Sequence, residues 1–188
     1  MNRPFLLLTF LVLCLTVGCD DDDGLSPITN IGRVDGWRVH LIFSDFATQA
    51  EDAIANVSDA ALAAADTTRS EISAAYAARV AQVTDVDDCD RDDVVIFSTD
   101  GATGVVQGGV TCPGTGDPTV LFPFRGLNFA TDADATELRL RNAQGQTVST
   151  YEIRTLTGDR FILGQRRTVV DTLLGDFTYD IEYQLIAD

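Results

Sequence analysis

The chain reads as a mainly β protein: a small antiparallel up-and-down barrel with a two-helix insertion after the first strand. Three observations predict this class. Near the end of the chain, Phe177, Tyr179, Ile181, Tyr183 and Leu185 alternate with Thr178, Asp180, Glu182 and Gln184, the period of two that turns one strand face to a core and the other to water. From Val94 onward, shorter runs of this kind follow one another with glycine, proline or asparagine turns between them, the signature of an antiparallel meander. One alanine-rich stretch with helical spacing separates the first strand from the rest. A meander of about seven strands favours closing on itself, because closure removes exposed edges.

In chain order, Met1 to Arg3 carry one positive charge and Phe5 to Val17 form an apolar run. That length suits an export signal and is short for a membrane span. Leu15-Thr16-Val17-Gly18-Cys19 resembles a bacterial lipobox, in which the cysteine is acylated and becomes the mature N-terminus. Gly18 fits that pattern. Thr16 departs from it, and together with Gly18 it would also suit ordinary cleavage before Cys19, which would leave an odd thiol in an oxidising compartment. Residues 1–18 are therefore read as a lipoprotein signal peptide and Cys19 as a lipid anchor to a membrane. Residues 19–33, opening with Asp20 to Asp23, have little apolar surface to bury and read as an acidic tether. The same acidic run resembles the signal that sends some lipoproteins to the cell surface; a solvated spacer is the plainer alternative.

The barrel domain is assigned to residues 34–188, about 150 residues, a size for one core. Trp37, Val39, Leu41 and Phe43 alternate with Arg38, His40 and Ser44 as a first strand, with Ile42 breaking the pattern. From about 48 to 83, Ile54, Val57, Ala61, Ala65, Ile72, Tyr76, Val80 and Val83 recur at helical spacing. Thr48 with Glu51 and Thr68 with Glu71 fit capping boxes, so the stretch predicts two helices broken near Asp66. Their stripe is mostly alanine, and they are placed over the edge or mouth of the sheet. Strands are then expected over Val94–Ser98, Thr103–Thr111, Val120–Phe124, around Leu138 and Leu140, over Thr147–Leu156 and Phe161–Gln165, and in the terminal run. Asp100-Gly101, Pro113 to Pro118, Asn142 to Gln146 and Thr157 to Arg160 provide turns.

Thirteen arginines, no lysine and twenty-nine acids give a net charge of −16, which repels a nucleic-acid backbone. Nucleic acid is excluded as a partner.

Gly36-Trp37 opening the first strand, Cys89-Asp90-Arg91-Asp92-Asp93-Val94 with Phe97 and Asp100-Gly101, Cys112, Tyr151-Glu152-Ile153 with Leu156-Thr157, and Thr178-Tyr179 together resemble the lipocalin-like domain of surface lipoproteins from Bacteroidetes and their relatives. The resemblance covers about Val34 to Ala187 except the helical stretch, which is longer than that family's usual connection. It implies a lipid-anchored barrel with a candidate small-molecule cavity and, for most members, no established activity; an outer-membrane location and a non-enzymatic role are expected. Trp37, Phe97, Tyr179 and Tyr183 are the candidate lining of a cavity for a small apolar ligand. In a barrel this small they are equally suited to filling it.

Cys89 and Cys112, the two exported cysteines apart from the anchor, are expected to form a disulfide. A redox pair or metal site would need a Cys-x-x-Cys spacing or histidine partners that are missing. Asp85, Asp87, Asp88, Asp90, Asp92 and Asp93 crowd one turn, and carboxylates at this density suit calcium. The EF-hand spacing fails, however, with Asp93 where glycine is required and Thr99 where glutamate is required, so a solvated acidic turn is expected and no metal is assigned. His40 is the only histidine, no motif pairs a nucleophile with it, and no phosphate loop or cofactor signature occurs. Glu152 and Asp180 are the one carboxylate pair with acid-base potential, on the outer phase of their strands. Non-reducing peptide mapping is expected to recover Cys89 joined to Cys112; closing that loop stabilises the fold by about 3 kcal/mol, and two free thiols would remove the bridge from the account.

Overall fold

The structure, a computed structural model, describes residues 31–33, 35–110 and 124–188. The signal peptide, Cys19, most of the tether and Cys112 lie outside these residues. Among the described residues there are eight strands: β1 (Trp37–Ser44), β2 (Val94–Phe97), β3 (Thr103–Val106), β4 (Asn128–Thr131), β5 (Glu137–Arg141), β6 (Thr147–Leu156), β7 (Arg160–Val169) and β8 (Phe177–Ala187). They form one antiparallel sheet in the order β3-β2-β1-β8-β7-β6-β5-β4. Its two ends meet, since Ala102 bridges Asn128 and the Thr103 amide donates to the Leu127 carbonyl at 2.7 Å. The result is a nearly closed barrel.

The first strand shows why Ile42 departs from alternation. Val39 pairs with Leu185 but Leu41 with Gln184, so His40 is an extra residue in the ladder. A bulge of this kind reverses the side-chain phase. Ile42 turns inward opposite Tyr183, while Phe43, expected inside, is 51% exposed opposite Glu182. At the start of the strand Gly36 has φ +77, and a Cβ there would collide with the side chains of Val94 and Ile96. Only glycine allows β1 to enter so close to β2.

The tether boundary also moves. Ile31 is fully buried in the core and its carbonyl accepts the Trp37 indole N–H at 2.9 Å, while Arg33 lies over the Trp37 ring at 5.3 Å. The barrel therefore includes residues from Ile31, ahead of the expected start at 34.

The helical excursion comprises α1 (Phe46–Ala55), α2 (Asp59–Ala64) and α3 (Arg69–Thr84), with a short α4 (Asp88–Arg91) before β2. The Thr68–Glu71 capping box is present in full at the start of α3. The Thr48–Glu51 box is not: α1 begins at Phe46, directly after β1, and tertiary bonds set its start. Ser44 Oγ accepts from the Phe46 amide at 3.1 Å, and Asp45 Oδ1 accepts from the Asp180 amide of β8 at 2.6 Å. An additional break separates α1 from α2, where Ser58 caps the Ala61 amide. Phe46 and Tyr76 carry α1 and α3 onto the barrel end formed by Phe177 and Tyr179, with Phe46 meeting Tyr179 edge-on at 4.8 Å.

β4 is a strand without a clear sequence signal, and β7 extends to Val169, beyond the expected Gln165. β3 stops at Val106, well before Thr111. Of the strand expected over Val120–Phe124, only Phe124 is described, in a single helical turn with its ring fully buried. The bulge yields a direct test. Ile42→Ala is expected to cost about 2–4 kcal/mol in urea unfolding and Phe43→Ala less than about 0.5 kcal/mol; the reverse order would show that β1 keeps a single phase.

Candidate functional site

The barrel interior is where the candidate cavity residues fall, and aromatic side chains occupy it. Trp37 packs on Phe161 at 5.3 Å between ring centroids, Phe161 on Phe97 at 5.7 Å, Phe97 on Phe129 at 5.2 Å and on Phe124 at 6.1 Å, and Phe124 on Tyr151 and Tyr183 at 5.8 and 5.7 Å. These spacings are those of directly packed rings. Trp37, Phe97 and Tyr183 thus belong to one continuous chain of rings along the interior. Tyr179, in the same core, packs its ring on Phe46 under α1. Leu138, Leu140, Leu163, Ile181 and Leu185 are among the residues that fill further inward positions.

The two ends of the interior differ. Around Trp37 the inward side chains of the strands are apolar, with Arg33 lying over its ring. Toward α1 and α3 the inward phase of β7 passes from Phe161 and Leu163 to Gln165 and Arg167, opposite Ile181 and Tyr179 of β8. Arg167 donates to Gln165 Oε1 at 2.6 Å and to the Tyr183 hydroxyl at 3.3 Å. Burial pushes the Tyr151 and Tyr183 phenols up, so both stay neutral donors through the physiological range. Tyr76, at the same end, donates to Asp171 Oδ2 at 2.7 Å and is pushed up to about 12 by burial and that bond. Sequence reading missed Arg167 because the expected strand ended at Gln165; carrying the alternation of Phe161 and Leu163 two residues further would have found it.

The acidic turn divides into two kinds of carboxylate. Asp85, Asp87 and Asp88 are exposed, but Asp90 and Asp93 are buried at 1% and 2% exposure, which corrects the expectation of a wholly solvated turn. For Asp93 a backbone partner offsets the burial, its Oδ1 accepting from the Gly108 amide, while Asp92 Oδ2 accepts from the Val110 amide, both at 2.7 Å. These two acids hold the chain leaving β3. Asp87, Cys89 and Asp90 place their ligand atoms within 4.8 Å of one another, but Cys89 is already engaged. Asp90 Oδ1 is buried without a hydrogen-bond partner, and burial raises its pKa, with Asp87 and Asp93 adding repulsion.

Glu152 and Asp180 do share a depression on the outer face of the sheet, about 550 Å³, with Glu137, Arg154 and Arg166. Each is tied to an arginine. Arg154 pairs with Glu152 at 3.0 Å and Glu182 at 2.7 Å, lying across Gly164 where any Cβ would collide with its guanidinium. Arg166 grips both oxygens of Asp180 at 3.1 Å and holds its pKa down. A general acid at neutral pH needs a raised pKa, and Asp180 is shifted the other way. His40 is exposed at the bulge, where its carbonyl accepts from Arg91 at 3.2 Å.

Comparison with protein-family models, with characterised proteins and with solved structures finds no match for this chain.

Asp90 generates a pH prediction with a definite sign. With its pKa raised in the folded state, the native protein holds the proton more tightly than the unfolded chain, so the contribution of Asp90 to stability is full below the ordinary carboxylate pKa and is lost as pH rises through the raised value. Asp90→Asn is therefore expected to stabilise the protein at pH 7 by on the order of 1 kcal/mol, with the gain vanishing near pH 3. A loss of stability at pH 7 would show that the carboxylate is held by a favourable partner.

Proposed function

We propose that the chain is an exported lipoprotein, anchored through Cys19 in the outer membrane, whose lipocalin-like barrel acts as a packed structural or protein-interaction module of the cell envelope. The observation that carries this reading is the unbroken chain of rings from Trp37 through Phe161, Phe97 and Phe124 to Tyr183. Side chains stand where a lipocalin-like carrier would hold its cargo, and an apolar pocket is the usual requirement for such cargo. The paired carboxylates of the outer face support a non-enzymatic role in the same way, since their charges are neutralised by Arg154 and Arg166. A disulfide between Cys89 and Cys112 would join the acidic turn to the segment after β3, beside the bonds from Asp92 and Asp93.

The alternative, a module that binds a small apolar molecule, has one feature in its favour. Between α1 and α3 lies a cleft of about 230 Å³, lined by Ala47, Ala50, Ile54, Tyr76, Ala77 and Val80. It is smaller than typical ligand pockets, which run from about 300 Å³ upward.

The test is a comparison of native and denatured masses of the full chain purified from its own host. A covalent anchor contributes equally to both, so no difference is expected. A reproducible excess in the native mass would favour the carrier. In the same host, Cys19→Ser is expected to move the protein from the membrane to the soluble fraction, and retention in the membrane would overturn the anchor.

A further inference from the structure

The bulge at His40 puts Phe43 on the outer face of the sheet, with 51% of its surface exposed. Bulges re-aim side chains in this way. Phe43 stands opposite Glu182 of β8 and lines a depression of about 410 Å³ with Asp45, Arg154, Asp180 and Glu182. This depression shares Arg154 and Asp180 with the one of about 550 Å³ around Glu137, Glu152 and Arg166. The two form one groove on the outer face, running from β1 across β8, β7 and β6 to β5.

The groove is charged unevenly. Among the described residues its walls carry five carboxylates, Asp45, Glu137, Glu152, Asp180 and Glu182, against two guanidinia, Arg154 and Arg166. Arg139 joins Glu137 from beside the groove, and an excess of two negative charges is left. Its sources are identifiable. Arg154 is shared between Glu152 and Glu182, and Asp45 is bonded by amides, those of the Asp180 backbone and the Gln49 side chain. The Glu152 side chain is 67% exposed and meets Arg154 through one oxygen, Oε2. The arginines hold these acids in place before any partner arrives, which lowers the ordering cost of binding.

We propose that this groove docks an extended, arginine-bearing segment of a partner protein, with one guanidinium on the face of Phe43 and another on Glu152. A guanidinium over an aromatic ring beside carboxylates combines cation–π and ion-pair attraction, and two positive charges match the excess. A second copy of this chain does not fit, since it carries −16 with no lysine and repels itself. An anionic membrane surface is disfavoured for the same reason. From β1 to β5 the groove covers four strand spacings, roughly 19 Å, which calls for a stretch of chain rather than one side chain. The proposal rests on the reading of the barrel as a protein-interaction module, and the two fail separately. Apolar cargo in the native mass would overturn the packed module, whereas failure of peptide binding would remove only this surface.

The experiment titrates the full chain into a fluorescently labelled six-residue peptide that alternates arginine with glycine, read by fluorescence anisotropy. Saturable one-to-one binding is expected, weakening as salt rises from about 0.05 to 0.2 M. Phe43→Ala, at a half-exposed position, is expected to weaken it about threefold to tenfold, and Glu152→Gln with Glu182→Gln about fivefold. Asp52→Asn with Asp66→Asn removes the same charge from exposed positions of the helical excursion, outside both depressions, and is expected to change affinity less than about twofold. No saturable binding, undiminished binding by Phe43→Ala, or equal weakening by the helical variant overturns the proposal. Equal binding of the peptide with glutamine for arginine overturns the charge assignment in favour of a neutral segment. Dimerisation without peptide, abolished by Phe43→Ala, overturns the proposal in favour of a second copy.

Discussion

The structure depends on the pairing of the last strand with the first. β8 lies between β1 and β7, pairing with β1 from Trp37↔Ala187 to Ser44↔Ile181 and with β7 along all of Arg160–Val169. Tyr179, Ile181, Tyr183 and Leu185 are thereby turned into the interior, each residue worth about 1.5–3 kcal/mol on burial. The contact joins positions nearly the whole domain apart, so its loop-closure entropy must be met before the reward arrives. Without β8, β1 keeps only two residue pairs with β2, and the two halves of the sheet stay joined only where β3 meets β4, at the Ala102–Asn128 bridge and its neighbouring bonds.

The consequence for function follows from what β8 and β7 carry inward. At the Trp37 end both strands present apolar residues, and the rings pack from wall to wall. At the α1 and α3 end they present Tyr179, Tyr183, Gln165 and Arg167, and the β6–β7 ladder stops. The barrel is thus solid at one end and polar with a gap in its wall at the other. The acidic turn and the ion-paired outer face serve the fold.

Much of this architecture was legible in the sequence where one residue decides one face. β5, β6 and β8 follow their alternation, and the Thr68–Glu71 box starts α3 as its residues imply. What was not legible depended on partners distant in the chain. The bulge at His40 is set by pairing with β8, so Ile42 and Phe43 exchange faces for a reason that local periodicity does not contain. β4 offers only Phe129 as a strongly inward residue and exists because β5 and the bridge at Ala102 pair with it. The bonds of Asp93 and Asp92 require amides at Gly108 and Val110, beyond the following hairpin. Of the candidate cavity residues, Trp37, Phe97 and Tyr183 were found together but as filling, and Arg167 was lost because the strand was expected to end at Gln165.

Trp37 offers the most direct test of the central claim, a barrel filled by its own side chains, because it is the only tryptophan of the chain and lies fully buried at one end of the ring chain. The measurement is acrylamide quenching of its fluorescence in the native protein, with urea-unfolded protein as reference. The account predicts blue-shifted emission and quenching at least about tenfold weaker than in the unfolded chain, as a rigidly packed interior requires. Red-shifted emission with quenching close to the unfolded value would mean that solvent reaches the interior, and the barrel would be open.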